Sequence, residues 1–250
     1  MKYKMVLWGL VGLAAYFLMM FFFAKPKDLK TAVNDIRNST VSINISYASP
    51  ECYKNDHAFD ACGATGVVVA YKEGVTYILT NKHVAEATDY AADTPCPVWV
   101  FPKRAKQGFP GFVIAVSPKT DLALIAVQDY IGEPIKIAKH KPEFLENIFS
   151  VGNPGCIKDV IGLGFMGMVG VPVFNHGAGV YRETDTMIEP KALFLADEML
   201  LGSTGGSSGS GIYNMQGELI AVLFAGARVD PAYTLAVPLE SVKEFLTVIE

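Results

Sequence analysis

No two cysteines in this 250-residue chain are paired as C-x-x-C, no stretch carries a surplus of basic residues outside the first thirty, and no segment repeats at a solenoid period. Each absence removes a class of protein. Without the paired spacing, Cys52, Cys62, Cys96 and Cys156 do not form a zinc site, and a stacked-repeat array is excluded by the missing period. Only 18% of residues are charged while 51% are apolar, so the chain is not disordered. Residues 1–30 hold five lysines against one aspartate, whereas the rest carries 16 basic and 24 acidic side chains. The body of the chain is therefore acidic and offers neither a nucleic-acid surface nor a patch for lipid headgroups.

What the chain does have begins with an apolar run. From Met5 to Ala24 no charged residue occurs, and twenty helical residues span about 30 Å, the thickness of a bilayer core. The run closes on Phe21-Phe22-Phe23-Ala24, with bulky side chains where signal cleavage wants small ones, which favours a retained anchor over a cleaved signal. Lysines flank both ends, so charge alone does not orient it. The even cysteine count bears on orientation, because Cys52 and Cys62 bracket a polar loop that a disulfide could close in an oxidising compartment. Four unrelated buried thiols are the alternative, and three connectivities are open.

After the anchor, Leu29, Val33 and Ile36 stand at helical spacing within Asp28 to Arg37. Strict alternation over Val41 to Tyr47 predicts a half-buried strand, and further short apolar runs follow at Gly66–Tyr71, Val75–Thr80, Val98–Phe101, Gly111–Val116 and Leu122–Val127. A looser stretch, Gln128 to Phe149, precedes a second series: Phe149–Gly152, Gly164–Phe174, Ala192–Ala196, Ile212–Tyr213, Leu219–Phe224 and Tyr233–Val237. Val242, Phe245 and Leu246 then fall on one helical face before the chain ends. Many short strands with turn signals between them predict an all-β barrel or sandwich rather than an alternating α/β sheet. The expected division is a membrane segment over 1–27, a first unit over 28–130 and a second over 131–250.

Chemistry concentrates at three strand ends. The segment Leu201 to Asn214 crowds glycines and hydroxyl residues ahead of a strand, a loop that can aim a serine outward while pointing backbone N–H groups into the same space. Thr80-Asn81-Lys82-His83 follows one strand, and Asp121 stands at the mouth of another. Each signal is weak alone. Together, histidine, aspartate and serine in that order are the parts of a triad, in which histidine takes the serine proton and aspartate fixes its tautomer.

Thr80-Asn81-Lys82-His83-Val84, Thr120-Asp121-Leu122-Ala123-Leu124 and Gly206 to Gly217 together resemble the signature segments of chymotrypsin-fold serine proteases, most closely the HtrA/Deg branch. Ser150 to Pro154 and Leu235 to Leu246 resemble two further segments of that branch, so the likeness extends over roughly residues 62 to 248. It implies two antiparallel six-stranded β-barrels with a C-terminal helix, preceded by the N-terminal transmembrane helix. It implies Ser208 as nucleophile, His83 as base and Asp121 as its partner, with the N–H groups of Gly206 and Ser208 as oxyanion hole. The primary pocket would be walled by Gly202, Ser203, Leu223, Phe224, Ala225, Gly226, Ala232 and Tyr233, which include no acid and so point to a small or aliphatic side chain. Some relatives also carry a disulfide in the loop that holds Cys52 and Cys62. No metal or cofactor is expected, the partner is a polypeptide, and the protease body is expected on the periplasmic or extracellular side. A catalytically silent, peptide-binding relative is the alternative.

The sequence departs from the family where Ser207 precedes the serine, where Ser210-Gly211 replaces Gly-Pro, and where Leu223 stands near a position that is often polar. Gly162-Leu163-Gly164-Phe165-Met166-Gly167 fits the G-x-G-x-x-G dinucleotide pattern, but its surroundings read as strand rather than as a helix start. His57, His140 and His176 have no evident partners.

Overall fold

A computed structural model describes residues 28–44, 63–88, 96–103, 105, 107–154, 157–175, 180–181, 194–203, 205–226 and 232–250. Helix α1 (Leu29–Ile36) opens this part, with the Asp28 carboxylate accepting the Thr31 N–H as its cap. Six strands follow: β1 (Thr40–Asn44), β2 (Ala64–Lys72), β3 (Val75–Thr80), β4 (Val98–Pro102), β5 (Phe109–Val116) and β6 (Ala123–Val127). They close into an antiparallel barrel in the order β1-β2-β3-β6-β5-β4, because β4 returns to pair with β1. A short helix, α2 (Lys82–Glu86), leaves the end of β3.

The second half contributes β7 (Asn147–Gly152), β8 (Val160–Met166), β9 (Val171–Asn175), β10 (Val180–Tyr181), β11 (Phe194–Leu200), β12 (Gly211–Asn214), β13 (Leu219–Gly226) and β14 (Tyr233–Pro238), then helix α3 (Leu239–Leu246). The order β11-β14-β13-β12-β7-β8 closes through the β11–β8 pairing into a second six-stranded ring, with the β9–β10 hairpin added on β11. The two expected barrels and the closing helix are present. Among the described residues no helix is long and apolar enough to cross a membrane; the run Met5–Ala24 and the whole segment 1–27 lie outside them.

One reading of the sequence changes. The run Gly164–Phe174 is not one strand but the end of β8 and most of β9, parted by a turn in which Gly167 donates to Glu198 O and Glu198 donates to Met168 O. Those bonds to β11 satisfy the backbone that a continuous strand would have paired elsewhere. The G-x-G-x-x-G pattern lies in β8 and this turn, and its glycines serve close packing: a Cβ at Gly164 would stand 2.1 Å from Leu200 O, and one at Gly167 2.7 Å from Glu198 O.

Alternation places side chains in three apolar clusters. Val41, Ile43, Val68, Ile78, Val100 and Ile125 fill the first barrel, and Ile148, Met166, Met199, Ile212, Ile220 and Ala236 fill the second. The third cluster joins them: Leu79 and Leu122 from the first half meet Phe149, Tyr213 and Val222 from the second, with Ile36 of α1 and Val242 of α3 closing over the top. Each such aliphatic side chain, buried from water, contributes about 1.5–3 kcal/mol, so the two barrels are held by a shared core. The connecting stretch runs along this seam, where Ile135 donates to Val68 O and Ala138 to Leu219 O.

Candidate active site

The site starts from the pairing of β3 with β6. Their antiparallel register sets Thr80 opposite Ala123, so the residues just after β3 and just before β6 emerge side by side. His83 sits in the first turn of α2 and Asp121 two residues ahead of β6. His83, which follows a strand end, is thus in a helical turn, where its own backbone N–H remains unbonded within the helix and donates to Asp121 Oδ1 at 2.9 Å. Its ring Nδ1 lies 2.7 Å from Asp121 Oδ2. A carboxylate only accepts, so Nδ1 carries a proton, and in the neutral imidazole the lone pair is then on Nε2. Buried Asn81 donates its side-chain N–H to Asp121 O at 2.9 Å and fixes the backbone behind the carboxylate.

The serine loop belongs to the second barrel but is fastened to the first. Thr65, fully buried at the start of β2, donates its N–H to Ser208 O at 2.8 Å and its hydroxyl to Gly206 O at 3.0 Å. Its own carbonyl accepts from Thr80 Oγ1 at 2.8 Å, and its hydroxyl accepts from Asn153 N at 3.0 Å. Asn153 also reaches Val41 O through its side chain at 3.1 Å, which gives the Ser150–Pro154 segment a part in seating the loop. Gly209 passes so close that a Cβ there would stand 2.0 Å from Thr65 O, and its φ of +83° is open to glycine. Gly209 N donates to Leu223 O, and Leu223 N donates to Ser210 O, which ties the loop to β13.

The backbone amides of Gly206 and Ser208 donate to no other described residue, while the carbonyls beside them are held by Thr65. The Ser208 hydroxyl likewise makes no hydrogen bond to a described residue, His83 included. In such sites this contact commonly tightens only once a substrate is bound.

A cavity of about 230 Å³ lies against the loop, lined by Gly202, Ser203, Ser207, Ser210 and Leu223 on one side and by Ser150, Gly152 and Gly162 on the other. Gly202, Ser203 and Leu223 were expected as pocket walls; Phe224, Ala225, Gly226, Ala232 and Tyr233 do not line this cavity. Gly226 faces Ser203 from elsewhere, a Cβ there standing 3.0 Å from Ser203 Oγ. Leu223 has no polar group with which to support Asp121, whose hydrogen bonds are to His83 and Asn81. Thr65 and Asn153 carried no chemical signal in the sequence, because their function is to accept and donate across the seam.

Cys96 is disulfide-bonded, and Cys52, Cys62 and Cys156 lie outside the described residues. His57 and His176 also lie outside them, and His140 is exposed. Among the described residues no group of three or more His, Cys, Asp or Glu is placed to hold a metal ion.

Residues 64–222, which contain His83, Asp121 and Ser208, match the family described as the trypsin-like peptidase domain. The fold is similar to that of the Rv3671c protease from M. tuberculosis in its active form, with a TM-score of 0.65 at 19% identity over 86% of this chain and 82% of the other. An inactive, serine-to-alanine form of the H37Rv protein gives 0.64 at 17% identity over 90% and 95%. A serine endoprotease from Yersinia pestis gives 0.62 at 17% identity over 89% of this chain and 66% of its own.

Proposed function

The chain belongs to the trypsin-like peptidase domain family and is a serine endopeptidase, and from that we propose that Ser208, His83 and Asp121 carry its chemistry as nucleophile, general base and orienting acid. The observation that carries this reading is the doubly held His83–Asp121 pair, which leaves Nε2 as the free base. Ser208 Oγ attacks the scissile carbonyl carbon while Nε2 takes its proton, and the resulting oxyanion lies on the N–H groups of Gly206 and Ser208. Collapse of the intermediate breaks the C–N bond, the imidazolium returns the proton to the leaving amine, and an ester to Ser208 remains. Water, deprotonated by the same nitrogen, then releases the new carboxylate and restores the serine.

A fluorophosphonate probe tests the assignment. Wild-type protein becomes labelled, Ser208→Ala does not, and Asp121→Asn folds normally but loses about 10⁴ in kcat through the wrong tautomer. Failure of the wild type to label would support a silent peptide-binding relative.

The side chain preceding the scissile bond is small or aliphatic, since no acidic residue among those described lines the cavity of about 230 Å³ beside the serine loop. Digestion of a mixed peptide library gives cleavage after such residues; dominant cleavage after Lys or Arg overturns the assignment. The run Met5–Ala24 tethers the protein to a membrane, with only Lys25 to Lys27 before the Asp28 cap of α1. The disulfide at Cys96 supports an oxidising, periplasmic or extracellular side for the protease body.

A further inference from the structure

Behind the turn that leads into Asp121 lies a wider cleft of about 920 Å³, between the β5–β6 connection and α3. Asp197 of β11 stands in its wall at 1% exposure. Its Oδ1 accepts the Gly170 N–H at 3.2 Å, and Oδ2 makes no hydrogen bond to a described residue. Holding the Gly170 turn needs only a neutral acceptor. Desolvation by burial raises its pKa, nearby Glu240 adds to the rise, and the Gly170 N–H and Lys141 oppose it, leaving it at about 6.

The other charges facing the cleft are few. Helix α3 contributes Glu240 and Glu244, the segment before β7 contributes Lys141, and the β5–β6 connection contributes Lys119, already 2.6 Å from Glu244 Oε1. The Gly167–Gly170 turn and Ala236, which pairs with Asp197 on β14, bring none. Pro118, Val169 and Phe245 supply apolar wall on either side. An unbonded carboxylate oxygen with a second carboxylate near it, flanked by apolar surface, matches a long cationic side chain: the stem packs and the head is paired.

We propose that this cleft is a second peptide-binding site, apart from the Ser208 cleft, which takes a Lys or Arg side chain of a polypeptide with its head on Asp197 and Glu240 and its stem along Pro118, Val169 and Phe245. The cleft is larger than one side chain needs, which leaves room for the backbone that carries it. A proton and the ligand's cation compete for Asp197, so affinity weakens about tenfold per pH unit once the solution is well below the carboxyl's own pKa.

The test titrates the full chain carrying Ser208→Ala, so that nothing is cut, with fluorescein-labelled leucyl-arginyl-glycinamide. The comparison peptide has citrulline in place of arginine, the same shape without the charge. At pH 7.5 the arginyl peptide binds at least about tenfold tighter than the citrullinyl one. Asp197→Asn, which keeps the bond to Gly170, removes most of the difference between the two peptides and leaves only the severalfold share of Glu240, and Glu240→Gln on the exposed rim lowers arginyl binding by that severalfold share. Equal affinities in the unmodified cleft, or undiminished arginyl binding by a folded Asp197→Asn protein, overturn the proposal. Loss of fluorophosphonate labelling bears on the catalytic assignment and not on this site.

Discussion

Thr65 carries more of the site's geometry than any of the residues that do chemistry. One side chain and one peptide unit of the first barrel hold Ser208, Gly206, Thr80 and Asn153. The serine loop therefore cannot drift without breaking contacts to buried groups, each of which would cost about 1–3 kcal/mol if left unpaired. Gly209 is the tightest point of that attachment. Gly209→Ala places a methyl group against Thr65 O in a strained φ, and is expected to cost several kcal/mol and remove fluorophosphonate labelling. Gly205→Ala, four residues away in a position with nothing within 4 Å, leaves both the melting temperature and the labelling close to wild type. Equal damage from both substitutions would mean that loop composition, not the contact at Thr65, decides its shape.

Pairing of elements is what brings the histidine and the aspartate together. Thirty-eight positions separate His83 from Asp121, yet the β3–β6 register makes their strand ends adjacent. Helix α1 acts on the same scale. Its apolar face of Ala32, Val33 and Ile36 packs into the cluster that holds Phe149, Tyr213 and Val222 of the second half, although α1 precedes the first barrel in the chain. Ile36, at 1% exposure, is a core residue of the seam. Ile36→Ala is expected to destabilise the protein by about 2–5 kcal/mol, read from the urea midpoint. A change under about 0.5 kcal/mol, the size of a surface substitution, would show α1 to be dispensable for the seam.

Across the whole molecule, Asp197 makes one part of the stability depend on pH. Its pKa is raised from 3.8 to about 6 by burial, so the folded protein binds this proton more tightly than the unfolded chain. The stability it contributes is fully present below about pH 4 and is lost as pH rises to about 6, a difference of about 3 kcal/mol at most. Asp197→Asn copies the protonated form. The variant should melt at a higher temperature than wild type at pH 8 and at the same temperature near pH 4; a constant offset at both pH values would place the effect in packing rather than in the charge. The same carboxyl makes ligand binding in the rear cleft and folding respond to pH in opposite senses, because a bound cation favours the ionised form.

The letters alone determined much: two series of short alternating strands, a looser connection between them, a helix at each end of the body, and the three segments that hold His83, Asp121 and Ser208. Local pattern suffices there, since strand periodicity and turn chemistry act over a few residues. It did not reveal that Gly164–Phe174 breaks at Gly167–Gly170, because the break depends on Glu198 and Met168 meeting across two strands. Nor did it single out Thr65, Asn153 or Asp197, ordinary residues by type whose roles arise from partners 27 to 141 positions away. Hydrogen bonding and desolvation act through space, and only the closure of two barrels around a shared core sets which distant groups share that space.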